Sequence, residues 1–235
     1  LAPVMVCQSV TVNLDASGVA TIVTTDVNNG SADNCSGVTL SLSQTTFSCT
    51  DLGTNMVTLT GTDASGNIST CMATVTVVDV INPVALCKPA TIYLDSNGDA
   101  RLVASDIDNG SSDNCSVTVT ITDSLFTCAD AGVNNVTLTA TDADGNTSTC
   151  VSVVTVLDTI APAANCKADT LYLNASGTAS LTAAMINDGS TDNCTFTMSV
   201  SQTTFTCSDM GVSSATLTVT DASGNASTCT SSITV

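Results

Sequence analysis

Apolar and polar residues alternate with a period of two along most of this chain. In "NVTLTAT", Val136, Leu138 and Ala140 fall on one face and Thr137, Thr139 and Thr141 on the other, the pattern of a half-buried strand. "TIYLD" before an "SNG" turn, "ARLVAS" after it, "VTVTIT" after Cys115 and "SVVTVL" read as further strands. Clusters of Gly, Asn and Asp break these runs every few residues. Short strands punctuated in this way predict a β-sandwich.

The pattern also repeats on a larger scale. Cys7, Cys35, Cys49 and Cys71 are echoed by Cys87, Cys115, Cys128 and Cys150, then by Cys166, Cys194, Cys207 and Cys229, at a period of 80 and then 79 residues. "NGSADNC", "NGSSDNC" and "DGSTDNC" recur with them, as do "TDASGNISTC", "TDADGNTSTC" and "TDASGNASTC". The expected architecture is all-β: three tandem immunoglobulin-like sandwiches, head to tail, over residues 1–79, 80–158 and 159–235. About 80 residues is small for a self-sufficient core, so two disulfides per repeat make physical sense. The linkers "VVDVINP" and "VLDTIAP" are short and closed by Pro, which restricts its own φ and its neighbour's. Val235 aligns with Val77 and Val156, and Leu1 with Ile81 and Ile160. That match predicts a window cut from a longer array or a subunit that stacks end to end.

Composition narrows the function. Hydrophobic residues make up 43% of the 235, yet no run approaches the ~18 apolar residues of a membrane helix, so no membrane span is expected. Aromatics are 3%, which leaves a core of Val, Leu, Ile and Ala. All 21 acidic residues are Asp, against Lys88, Arg101 and Lys167, and the net charge of -18 disfavours nucleic acid and attracts cations. Twelve Cys with no His argue for disulfides over zinc and for an extracellular or cell-surface location. The chain carries no initiator Met or signal peptide, the expectation being a processed chain or a window.

The second repeat, from "FTCADAGVNNVTLTATDADGNTSTC" to "VTV", resembles the hyalin repeat (HYR) family, and the likeness extends over all three repeats. It implies immunoglobulin-like extracellular sandwiches of the kind strung in tandem in animal matrix proteins and large bacterial surface proteins, serving adhesion or scaffolding without catalysis. The family's Asp maps to Asp63, Asp142 and Asp221, and its closing Cys to Cys71, Cys150 and Cys229. Sparse strand aromatics and the additional Cys35 and Cys49, with their equivalents, depart from the pattern and ally the chain with bacterial variants.

"DIDNGSSDNC" (106–115) and "TDADGN" (141–146) are expected at one end of their sandwich. Asp106, Asp108 and Asp113 would then converge with Asp142 and Asp144. Clustered carboxylates repel unless a cation sits among them, and Ca²⁺ takes six to eight oxygens from carboxylates, amides and carbonyls. Calcium is the expected structural cofactor, with Asp79 and Asp158 reaching the clusters from the linkers. The corresponding candidates are Asp26, Asn28, Asp33 and Asp63 in the first repeat, and Asn187, Asp192 and Asp221 in the third. Met185 and Ser223 replace Asp106 and Asp144 there. The competing reading is that Asp, Asn, Gly and Ser simply make Asx turns. A catalytic carboxylate pair is disfavoured, because a loop repeated at fixed period without a second chemical group reads as architecture. The expectation is no enzyme.

Four cysteines per repeat allow three pairings. The favoured one joins Cys7 to Cys71 and Cys35 to Cys49, then Cys87 to Cys150, Cys115 to Cys128, Cys166 to Cys229 and Cys194 to Cys207. Asn67, Asn135, Asn146, Asn174 and Asn225 open N-x-[ST] triplets, as do Asn34, Asn114 and Asn193 with Cys in the middle. Thr159, Thr170 and Ser124 lie in Asp-Ser/Thr-apolar triplets resembling bacterial O-glycosylation acceptors. The leading functional reading is a structural segment of a bacterial surface filament or adhesin stalk, its partner being itself. The alternatives are a calcium-dependent adhesin module that binds surface glycans, and a non-catalytic spacer of a secreted enzyme. An adhesin of that kind calls for an exposed aromatic, whereas Phe196 and Tyr172 are expected in strands.

Overall fold

The computed structural model describes residues 1–35 and 37–235. The Ser36 that completes the Asn34 triplet lies outside the described residues. The first repeat builds β1 (Val10–Asn13), β2 (Val19–Thr21), a helical turn α1 (Thr24–Val27), β3 (Thr39–Leu42), β4 (Thr46–Ser48), β5 (Gly53–Thr62) and β6 (Ile68–Val78). Strands β1-β6-β5-β3 form one sheet and β2-β4 the other. Val57, Leu59, Val75 and Val77 from the large sheet meet Ala20 and Phe47 from the small one, with Leu14, Ile22 and Val27 closing the core. The alternation seen in sequence is thus the two-sidedness of a packed sheet. Strand β1 pairs parallel to β6, so the chain leaves the repeat at Val78 beside the strand that opened it.

The same plan recurs. The second repeat has β7 (Ala90–Tyr93), β8 (Asp99–Arg101), α2 (Ala104–Ile107), β9 (Val117–Ile121), β10 (Leu125–Thr127), β11 (Gly132–Asp142) and β12 (Thr147–Leu157). The third has β13 (Asp169–Thr170), β14 (Thr178–Ser180), α3 (Ala183–Ile186), β15 (Phe196–Val200), β16 (Thr204–Thr206), β17 (Val212–Asp221) and β18 (Ala226–Thr234). Their sheets are β7-β12-β11-β9 with β8-β10, and β13-β18-β17-β15 with β14-β16. The protein is all-β, with three similar sandwiches of immunoglobulin-like type. Among the described residues no helix is long and apolar enough to cross a membrane.

The chain divides into two compact units. One comprises Leu1–Cys87, Asp108–Ile121 and Thr137–Val151; the other comprises Lys88–Ile107, Thr122–Val136 and Ser152–Val235. Each contains its own inter-repeat disulfide.

Three sequence expectations are corrected. "ARLVAS" is not one strand, because β8 stops at Arg101 and α2 begins at Ala104. The Asp106 carboxylate accepts the Val103 N–H at 2.9 Å and turns the chain, driving Ile107 into the core. Tyr172 lies outside any strand and is 86% exposed, since β13 ends at Thr170.

The third correction concerns the cysteines. Bonds join Cys7 to Cys71, Cys87 to Cys150 and Cys166 to Cys229 within repeats. The others are Cys49–Cys115 and Cys128–Cys194, between successive repeats, with Cys35 and Cys207 free. Cys35–Cys49, Cys115–Cys128 and Cys194–Cys207 do not form. The reason is the course of the chain: β3 begins opposite Thr62, beside the β5-β6 turn, whereas Cys49 leads into Gly53, opposite Val77 at the far end of β6. Residues 35 and 49 flank a crossing from one sheet to the other, so they lie at opposite ends of their sandwich. Cys49 sits where the linker departs and meets the next repeat's Asp-Asn-Cys loop.

Candidate cation site at the repeat joints

Asp79, Asp113 and Asp142 reach one point from three segments. Asp79 follows the end of β6 in the linker, Asp113 lies in the Asp-Asn-Cys loop, and Asp142 ends β11. One carboxylate oxygen from each lies within 4.8 Å of the others. Two oxygens on opposite sides of a calcium ion, each at about 2.4 Å, are about 4.8 Å apart, so the three can share one ion.

Hydrogen bonds position each group and leave selected oxygens unsatisfied. Asp142 accepts the Asn146 backbone N–H at 2.8 Å on Oδ1 and its amide at 2.7 Å on Oδ2. The same amide donates to the Asp79 carbonyl at 2.9 Å, tying the linker to the β11-β12 turn. The Asp79 backbone N–H donates to the Asp144 carboxylate. Asp79 Oδ1 accepts from Ile81 N–H, and Asp113 Oδ2 from Cys115 N–H, both at 3.1 Å. Asp79 Oδ2, Asp113 Oδ1 and Asn114 Oδ1 are buried without a partner. Asp79 is only 4% exposed and Asp142 7%. Burying unpaired carboxylate oxygens side by side is costly unless a cation compensates them.

The other unit repeats the arrangement. Asp158, Asp192 and Asp221 also present oxygens within 4.8 Å of one another. Asn225 donates to Asp221 Oδ2 at 2.8 Å and to the Asp158 carbonyl at 3.0 Å. The Asn193 amide donates to Asp158 Oδ1 at 3.2 Å. The unpartnered atoms are the same: Asp158 Oδ2, Asp192 Oδ1 and Asn193 Oδ1. The repeated sequence thus carries the same three orphan oxygens into both joints.

The remaining candidates are occupied in shaping loops. Asp26 caps α1 through Val23 N–H at 2.7 Å, as Asp106 caps α2. Asn28, Asp108 and Asn187 each accept the backbone N–H of the serine three residues on, at 3.0 Å. In the first repeat Asp63 accepts from Ser65 and Asn67, and Asp33 from Cys35 N–H. The Asn67 amide and backbone N–H hold the Asp63 carboxyl below the usual carboxylate range. Asn114 and Asn193 were read in sequence as N-x-[ST] openings and as the middle of a recurring Asp-Asn-Cys, not as cation donors. An amide oxygen beside a loop carboxylate that recurs in every repeat is itself a hard-cation donor, which is the signal that would have singled them out.

No family model matches this chain, and no curated protein matches it. Among solved structures it is similar to the protocadherin GammaB4 extracellular domain, at 16% identity and a TM-score of 0.35 over 99% of this chain and 49% of that one. It is also similar to an I-band fragment from titin, at 13% and 0.37 over 100% and 98%. A third similar structure, Sidekick-1 immunoglobulin domains 1–5, gives 11% and 0.41 over 100% and 59%.

Proposed function

We propose that this chain is a structural segment of an extracellular filament or adhesin stalk, its 1–79, 80–158 and 159–235 repeats serving as building blocks whose joints are stiffened by calcium. The observation that carries this reading is the pair of equivalent three-carboxylate clusters, each formed across a linker and each holding buried, unpartnered Asp and Asn oxygens. Oxygen-only donors suit calcium and not zinc, which prefers nitrogen and sulfur. A linker carboxylate bound to the same ion as the next repeat's loop fixes the linker's direction. Five disulfides support an oxidising, extracellular setting. The additional cysteines, which ally the chain with bacterial variants of the HYR pattern, support a bacterial surface protein, and no catalysis is proposed.

Calorimetric titration of the metal-free chain tests this directly. Two calcium ions should bind per chain, and Asp113→Asn together with Asp192→Asn should abolish both. No heat and no binding in the wild type would sink the calcium reading and leave turn chemistry as the role of these loops.

A further inference from the structure

The inter-repeat disulfides have a direction. Cys49, in the turn after β4, pairs with Cys115 in the next repeat's Asp-Asn-Cys loop, and Cys128 pairs with Cys194 in the same sense, both at a sequence separation of 66. The two cysteines left over are complementary members of this series. Cys35 is a loop cysteine and Cys207 a turn cysteine, and both are exposed free thiols. We propose that Cys207 of one copy of this chain forms a disulfide with Cys35 of a second copy, so that copies join by the same bond that already joins the repeats. This deepens the proposed function and rests on its filament reading, not on its calcium.

The surroundings of the cysteines carry the argument further. At each formed joint the loop sits on a tight turn with a glycine at positive φ. A Cβ on Gly18 (φ 71°) would lie 2.7 Å from Cys49 Sγ and 2.9 Å from the Asn114 carbonyl oxygen. A Cβ on Gly98 (φ 80°) would lie 2.6 Å from Cys128 Sγ and 2.7 Å from the Asn193 carbonyl oxygen. Any side chain there would push the incoming loop away. The seat is completed by the Asn114 amide donating to the Asp15 carbonyl and the Asn193 amide to the Asp95 carbonyl, both at 3.2 Å.

The third repeat carries this seat too. Asn174 closes the equivalent turn by accepting Gly177 N–H at 2.9 Å, and a Cβ on Gly177 (φ 74°) would lie 2.9 Å from Cys207 Sγ. Gly18 and Gly98 are buried under their loops, while Gly177 is part-exposed. The loop side matches: Asn34 and Cys35 are exposed where Asn114, Cys115, Asn193 and Cys194 are half-buried. One chain therefore displays a ready seat on its third repeat and a ready loop on its first.

The bond needs an oxidant, which a small-molecule disulfide supplies by exchange. The Cys207 thiolate attacks that disulfide, forming a mixed disulfide and releasing one small thiol. The Cys35 thiolate of the second copy then attacks Cys207 Sγ, releasing the other small thiol. Two protein thiols are oxidised, one small disulfide is reduced to two thiols, and no other electrons are required.

The test uses the whole 235-residue chain in a glutathione redox buffer at physiological salt, followed by non-reducing electrophoresis and peptide mapping. The wild type should give a ladder containing a Cys35–Cys207 cross-linked peptide. C35S and C207S alone should stay monomeric, and their equimolar mixture should stop at a dimer. The dimer yield should exceed that of either variant alone by at least about tenfold, because docking raises the effective thiol concentration. Cys207–Cys207 or Cys35–Cys35 dimers formed as readily as the mixed one, a Cys35–Cys207 bond closed within one chain, or monomers capped by glutathione would each overturn the proposal. Unchanged melting of the variants checks that they fold. Calcium titration of the C35S/C207S double variant tests the calcium reading separately, since its clusters are intact.

Discussion

Asp79→Asn should change sign with calcium. Asn keeps the Oδ1 that accepts Ile81 N–H, and it replaces the unpartnered Oδ2 with an amide facing the cluster. Without calcium, the three carboxylates within 4.8 Å repel one another by about 0.9 kcal/mol per pair at a dielectric of 80, or about 3.5 kcal/mol at 20. The substitution removes two of those three pairs, so the calcium-free variant should be more stable than wild type by about 2 kcal/mol or more. With calcium the order reverses. At an ion concentration a hundred times Kd, one site contributes about 2.7 kcal/mol, and the loss of one carboxylate ligand removes most of it. For a small domain about 1 kcal/mol moves Tm by about 4–8 °C, so both effects are visible in a melting curve. The assay is calorimetric or circular-dichroism melting of both proteins in chelator and in millimolar calcium. A variant less stable than wild type by the same amount in both conditions would refute the reasoning, because turn chemistry alone has no calcium dependence.

Acid should destabilise the calcium-free chain through its capping carboxylates. The backbone N–H of Ser48 holds the Asp51 carboxyl below its usual range, that of Asp99 does so for Asp95, and that of Thr206 for Asp209. Carboxyls lowered in the folded state contribute stability above the usual value of about 3.9 and lose it as pH falls through their lowered values, so in chelator the stability that wild type holds over an Asp51→Asn, Asp95→Asn, Asp209→Asn variant should shrink below about pH 4, the cluster repulsion being common to both. A difference in Tm that stays constant from about pH 6 to about pH 2.5 would contradict this. Phe205→Ala, at a position of 0% exposure in the third repeat's core, should cost about 3–5 kcal/mol in urea unfolding, while Leu125→Ala at 73% exposure should stay within about 0.5 kcal/mol. If N-glycans are attached, peptide mapping should find them on exposed Asn135 and Asn174 and not on Asn146 or Asn225, whose amides bind the cluster.

The repeat and its strands were legible because burial imposes period two: Val136, Leu138 and Ala140 are each 0% exposed, as the alternation implies. The Asp-rich loops were legible as a place where carboxylates gather, but which of them converge was not. Loop aspartates that look alike in sequence divide in space between capping duties, as for Asp106, and convergence, as for Asp113. Composition carries no information about which oxygen points where. The inter-repeat disulfides were missed for a different reason. Proximity in sequence favoured Cys35 with Cys49, but β3 and β4 belong to different sheets and the chain between them traverses the sandwich. Strand-to-sheet assignment is a long-range property, and the residues 35–49 alone do not encode it.

One tripeptide serves both the inter-repeat disulfide and the carboxylate cluster. Asp113 delivers its carboxylate to the cluster with Asp79 and Asp142, Asn114 donates to the Asp15 carbonyl, and Cys115 bonds Cys49. A rigid Asp-Asn-Cys loop cannot be held at one of these points without being placed for the others. Opening Cys49–Cys115 by double substitution to Ser should therefore weaken calcium binding at the Asp79 site, by about 5–150-fold if the coupling lies in the usual range of 1–3 kcal/mol. Because coupling between equilibria is reciprocal, calcium should make this disulfide harder to reduce at equilibrium by the same factor. The Asp158 site, fastened by Cys128–Cys194, serves as the internal control in the same molecule. Titration of the double variant should then show one site weakened and one unchanged. Two sites of unaltered affinity would mean that the loop holds its shape without the bond, and that ion and disulfide secure the joint independently.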